Sequence, residues 1–224
     1  MEAVTFQRVS LQNVLLKHPF SMVLVGPSGC GKTRFILNFI EKRHLLTDTL
    51  FDRVIYSYKI YQKPFDPLVQ EGVEFVEGEN FTLDRSQRTL LIIDDQTASA
   101  CPLVADLFTV QVHHGNVSCI YVTHNLFHND PNFRMAMLSA HYLILFKSIR
   151  NVGQVHCLAR QLFSHDKVKS KRMVGAYDQA TRKAYGYLLI DLTPTCPDII
   201  RLRTEVLREG AKFLGEPLIK TFPL

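Results

Sequence analysis

Residues Gly26-Pro27-Ser28-Gly29-Cys30-Gly31-Lys32-Thr33 spell G-x-x-x-x-G-K-[ST], the pattern of a loop that wraps phosphates. The motif has a use only between a strand and a helix, and the flanking residues provide both. Ser21 to Val25 is an apolar run of strand length, and Phe35, Ile36, Phe39 and Ile40 recur at helical spacing. Glycines let the backbone turn successive N–H groups into one concavity, to which the helix N-terminus adds positive potential. The pattern assigns the nucleotide to residues Gly26, Pro27, Ser28, Gly29, Cys30, Gly31, Lys32, Thr33 and Arg34. Lys32 is placed to reach the β- and γ-phosphates, and the Thr33 hydroxyl to ligate magnesium. ATP and Mg2+ are the expected cofactors.

A P-loop strand needs parallel partners, and the chain has them. Arg53–Tyr58, Ser118–Val122 and Tyr142–Phe146 read as strands, and Tyr61 to Val76 as a short helix and an edge strand. Thr89-Leu90-Leu91-Ile92-Ile93 reads as a strand buried on both faces, ending in Asp94 and Asp95. Carboxylates there sit at the C-terminal edge of a parallel sheet, where such folds bind ligands. In this Walker B form Asp94 holds magnesium through water, and Asp95 orients or deprotonates the attacking water. Ser99 to His114 fits a helix with Val104, Leu107, Phe108 and Val112 on one side, and Asn151 to Phe163 reads as another. A late strand is expected over Tyr185–Leu192, followed by a polar helical tail. The fold class is therefore α/β, a P-loop NTPase with a mostly parallel sheet flanked by helices. The chain reads as a single domain, 1–224, with an N-terminal extension over 1–20 and a C-terminal tail over 193–224. Within the extension, Val14-Leu15-Leu16 lies against the sheet or covers the nucleotide base.

The strand at Ser118–Val122 runs into Thr123-His124-Asn125. If it lies between the P-loop strand and the Asp94 strand, Asn125 and His124 face the γ-phosphate as sensors; otherwise Asn125 caps a strand-to-helix turn. His113, His114, His124 and His128 lack the spacing of a zinc site, since no Glu follows His124 as in H-E-x-x-H. Lys167, Lys169, Lys171 and Arg172 form a solvated helix face or a DNA contact. A net charge of +5 with pI ≈ 9.0 is compatible with a polyanionic partner. Five cysteines, one inside the phosphate loop, suit a reducing interior. No apolar run approaches the ~20 residues of a membrane span, and the first twenty residues hold no signal-peptide core. A soluble intracellular protein is expected.

Beyond the two generic motifs, three stretches carry a more specific resemblance: IYVTHNLFHNDPNFR (120–134), HYLILFKSIRNVGQVHCLARQLF (141–163) and AYGYLLIDLTPTCPDIIRLRT (184–204). The chain resembles the FtsK–HerA superfamily of DNA-pumping ATPases. Within it, the chain is similar to packaging ATPases of Polinton/Maverick elements, adintoviruses and related double-stranded DNA viruses, relatives of the poxvirus packaging ATPase. The resemblance implies a RecA-like (ASCE) core with strand order 5-1-4-3-2, and a ring, pentameric or hexameric, that hydrolyses ATP to drive double-stranded DNA into a capsid. Capsid or portal-vertex proteins would be its partners at the site of virion assembly. By position it assigns phosphate and magnesium to Lys32 and Thr33, the Walker B acid to Asp94 and the catalytic carboxylate to Asp95. His124 departs from the Gln common in relatives, and Asp95 is shorter than the usual Glu. Arg134 and Arg150 match family arginines. The implied topology puts the Tyr142–Phe146 strand at a sheet edge, from which either arginine would reach a neighbour's γ-phosphate. Two other readings remain for a P-loop chain: a small-molecule kinase, and a scaffold in which nucleotide only fixes the assembly.

Overall fold

In the computed structural model, which describes residues 5–6, 14–61, 63–94, 101–112, 115–206 and 220–224, the P-loop strand lies at the middle of a ten-stranded sheet. The strands are β1 (Thr5–Phe6), β2 (Ser21–Val25), β3 (Arg53–Tyr58), β4 (Glu74–Glu77), β5 (Thr89–Ile93), β6 (Val117–Thr123), β7 (Tyr142–Phe146), β8 (Tyr187–Asp191), β9 (Leu202–Thr204) and β10 (Lys220–Phe222). Their order across the sheet is β1-β10-β9-β8-β7-β2-β6-β5-β3-β4. The central five, β7-β2-β6-β5-β3, pair in parallel and give the order 5-1-4-3-2 implied by the resemblance. On one side β4 extends them in parallel; on the other, β8, β9, β10 and β1 extend them antiparallel.

Strands alternate between two apolar layers, which is why the central runs are continuous in sequence. Met22, Leu24, Leu90, Ile92, Ile120, Val122 and Ile144 point to the layer under α1 (Lys32–Leu46) and α2 (Asp66–Gln70). Val23, Val25, Leu91, Ile93, Cys119, Leu143 and Leu145 point to the other. That second layer is covered by α3 (Cys101–Asp106), which continues as a π-helical turn at Leu107–Gln111, and by α4 (Pro131–Leu138), α5 (Val152–Leu162) and α6 (Lys167–Ala180). The side chains expected to share one face of the α3 segment, Val104, Leu107, Phe108 and Val112, are all buried. Two of these helices have aspartate caps: Asp130 accepts from Phe133 N at 2.9 Å, and Asp166 from Val168 N and Lys169 N.

Three expectations need correction. The β7 strand is interior, because β8 pairs with it along its whole length from Tyr142↔Asp191 to Phe146↔Tyr187. The late strand begins at Tyr187, since Tyr185 turns at φ +60° before it. Past Pro197 the described residues form one helical turn, α7 (Asp198–Arg201), and Leu202–Thr204 then joins the sheet as a strand; residues 207–219 of the expected helical tail lie outside the described residues. That strand is stabilised by Arg203, whose buried guanidinium pairs with Asp191 and donates to Val14 O at 2.8 Å. The N-terminal extension also contributes to the fold: Thr5–Phe6 pairs with β10. Val14 packs on Cys196 and Ile200, and Leu16 packs with Phe35 and Phe39, so this stretch lies against the sheet assembly, the first of its two readings.

Candidate nucleotide site

Every parallel strand of the core ends at the same edge, and the candidate residues gather there. From β2 the chain enters the P-loop, with Gly29 at φ +75° and Gly31 at φ +108°. Only glycine adopts the latter cheaply, and it lets α1 start directly at Lys32 with its N–H groups open to the loop. The Lys32 ammonium is buried and donates to Gly26 O at 2.6 Å and Pro27 O at 3.1 Å, with His124 Nδ1 at 3.4 Å. An ammonium can only donate, so it holds positions that phosphate oxygens would take over. Cys30 is half-buried, and burial raises its thiol pKa, partly opposed by the neighbouring Lys32 charge.

Across β6, the end of β5 presents Asp94, buried, with its backbone N–H donating to Ser57 O at 2.9 Å. Its carboxylate accepts a hydrogen bond from the Tyr56 hydroxyl at 2.5 Å. Burial first, and then the Asp94 charge, push the Tyr56 hydroxyl well above its usual range, so it stays a donor. A carboxylate oriented from below, together with the Thr33 hydroxyl at the start of α1, fits a magnesium ion in its donor chemistry. Asp95 lies outside the described residues, as do His113 and His114.

As the sensor reading requires, β6 lies between β2 and β5. His124 and Asn125 follow it into a cleft of about 820 Å³, whose near wall is Pro27 to Cys30. The turn is not capped by Asn125, because α4 begins at Pro131 under the Asp130 cap. The far wall comes from Lys147 to Asn151, after β7, and from Arg182 to Tyr185, before β8. Lys147, Arg150 and Arg182, with Lys183 paired to Glu205 at 3.0 Å, line a cleft with no acidic residue among the described residues of its lining, a setting suited to a polyanion. Arg150 thus stands in the wall of its own chain's P-loop cleft. Arg134 is exposed on α4, donates to Asn129 O at 3.3 Å, and is not part of the lining.

A profile of the family described as "Poxvirus A32 protein" matches residues 4–191. The chain belongs to that family. The family is one of packaging ATPases, and the chain is an ATPase. Among curated proteins no sequence matches significantly. Solved structures resembling it include the genome packaging NTPase B204 of Sulfolobus turreted icosahedral virus 2, in complex with ATP-gammaS. That match has 16% identity and a TM-score of 0.44, over 78% of this chain and 92% of that one. ATPases 2 and 3 of Thermomonospora curvata EccC match at 13% identity and TM-score 0.40, over 57% of this chain and 30% of that one. The EscN ATPase of the enteropathogenic E. coli type III secretion system matches at 8% and 0.37, over 77% and 68%.

Sequence reasoning missed four members of this candidate site. Arg182 and Lys183 belong to no motif, Lys147 lies within the 141–163 stretch without being singled out, and only the β7–β8 reversal brings them to the P-loop. Tyr56 was visible as a tyrosine inside a strand, but its partner Asp94 lies 38 residues on. Among the described residues no group of three or more metal-binding side chains clusters, and no helix is long and apolar enough to cross a membrane.

Proposed function

We propose that this ATPase drives double-stranded DNA into a virus-like capsid, working as a ring of identical subunits. The observation that carries the proposal is family membership over residues 4–191, joined to a basic cleft at the P-loop. In this reading Gly26 to Arg34 bind the triphosphate, and Lys32 exchanges its two loop carbonyls for phosphate oxygens. Thr33 and Asp94 hold magnesium, Asp94 being kept in orientation by Tyr56. Asp95 orients the attacking water, and His124 and Asn125 respond to the γ-phosphate. Arg150 neutralises charge on the nucleotide of its own subunit, and Arg134, exposed beyond the cleft, is the candidate for reaching a neighbour. Capsid or portal-vertex proteins complete the assembly.

The decisive experiment is ATP turnover with and without duplex DNA, repeated across salt concentrations. Stimulation by DNA of any sequence, fading steeply with salt, is expected, because a translocating protein grips phosphates and releases counterions. Turnover unaffected by DNA but raised by a small acceptor would make the chain a kinase. Negligible turnover in every condition would make it a nucleotide-gated scaffold.

A further inference from the structure

The nucleotide site has an aromatic side chain that the phosphate chemistry does not use. Tyr185 stands just before β8 at φ +60°, a backbone conformation that costs energy for any side chain but glycine, asparagine or aspartate. The next residue, Gly186, fixes that turn: a side chain there would start 2.3 Å from Ala180 O. The ring so held lies along the P-loop, where a Cβ on Gly31 would meet its Cδ1 at 3.0 Å. The Arg34 guanidinium stands 5.2 Å from the ring centroid, yet Tyr185 remains 53% exposed. A tyrosine held half in water on a strained turn has little value to the core.

Its position relative to the polyphosphate gives it one. The carboxylate of Asp94 and the His124–Asn125 pair end β5 and β6, on one side of the P-loop strand; β7 and β8 lie on the other. A triphosphate whose terminal group faces Asp94 must leave the loop toward β7 and β8. Its nucleoside end then meets the wall formed by Arg182, Lys183, Ala184 and Tyr185. We propose that Tyr185, flanked by Arg34, is the platform on which the nucleotide base stacks. The inference rests on the P-loop reading above and adds the base subsite to it. Stacking suits an exposed ring, since every base offers a π-face, and Arg34 adds a cation to the same stack.

The test compares two ligands by calorimetry, Mg-ATP and inorganic tripolyphosphate, which shares the phosphates but lacks the base. Tyr185→Asn keeps a residue that tolerates the left-handed turn while removing the ring; Tyr185→Phe keeps the ring. Expected for Tyr185→Asn is an ATP affinity about 5- to 150-fold weaker, the span of a single base–aromatic stack, with tripolyphosphate affinity unchanged. Tyr185→Phe should bind both ligands like the wild type. Equal weakening of both ligands in Tyr185→Asn would overturn the proposal, since the ring would then only brace Gly31. Unchanged ATP affinity would overturn it as well. If the wild-type chain binds neither ligand, the P-loop reading fails and the platform with it. If Lys32→Ala alone loses both ligands while Tyr185→Asn loses only ATP, both readings stand.

Discussion

Tyr56 lies beneath Asp94 with its hydroxyl held well above its usual range, chiefly by burial, so it serves the Asp94 carboxylate as a donor. Tyr56→Phe removes that donor without changing the shape of the core. It should raise the magnesium concentration needed for half-maximal ATPase activity by about 10- to 150-fold, the equivalent of ~1.5–3 kcal/mol for a hydrogen bond to a charged group. Asp94→Asn should raise it further, and Asp95→Asn should bind Mg-ATP normally while turnover collapses. Magnesium titrations of the three variants check this. If Asp94→Asn and Asp95→Asn behave alike, the two carboxylates do not divide the labour. Asp94 was legible because an apolar run closing on a carboxylate is a local pattern. Tyr56 was not, because a donor on the neighbouring strand follows from register, which the sequence specifies only through the whole sheet.

At the scale of elements, local periodicity located β2, β3, β5, β6 and β7, because strands buried on both faces are written as apolar runs. It failed where tertiary pairing overrides local character. Leu202-Arg203-Thr204 reads as part of a polar tail until Arg203 meets Asp191, and Tyr185 reads as strand until the chain must reverse beside Gly31. The entries to β3 and β5 are joined by a pair of the same non-local kind. Arg88 donates to both Asp52 oxygens, at 2.9 and 2.6 Å, and holds that carboxyl at a pKa of about 2, chiefly through the side-chain hydrogen bond. A depressed folded pKa means that the contribution is complete above the ordinary carboxylate range near pH 4. It is lost as pH falls toward about 2. The Tm difference between wild type and Arg88→Ala should therefore be constant from about pH 7 to 5 and shrink as pH falls through about 2. A difference that grows on acidification would assign the effect to something other than this pair. Because both groups are exposed, the difference should be small and should diminish further in salt.

For the whole molecule, the interior position of β7 changes what its arginine can do. An edge strand would have offered Arg150 to a neighbour; with β8 paired to β7, Arg150 instead lines the cleft of its own chain while remaining exposed. Arg150→Ala should bind ATP but turn it over slowly, by about 10³-fold if it supplies the charge of an arginine finger. Mixing it with Lys32→Ala protein should restore nothing. Arg134→Ala mixed with Lys32→Ala should recover activity if α4 faces the next subunit. Recovery for Arg150 instead of Arg134 would reverse the two roles. The basic stretch on α6 is now divided as well. Lys169 is tied to Asp198 at 2.5 Å, whereas Lys167, Lys171 and Arg172 are exposed. Changing those three to Ser should flatten the slope of log DNA affinity against log salt by up to ~0.9 for each phosphate they neutralise. An unchanged slope would leave them a solvated helix face.

The self-contact of Lys32 has a practical consequence for chemistry performed on the protein. An amine buried against two carbonyls is already shielded before any nucleotide arrives, while Lys183, though paired with Glu205 at 3.0 Å, has its side chain 80% exposed. Acylating reagents will therefore label Lys183 and spare Lys32 whether or not nucleotide is present. Footprinting by lysine modification would then report a protected Walker lysine in protein that has never met ATP. Occupancy of this loop has to be read from the ligand, because the lysine gives the same answer in both states.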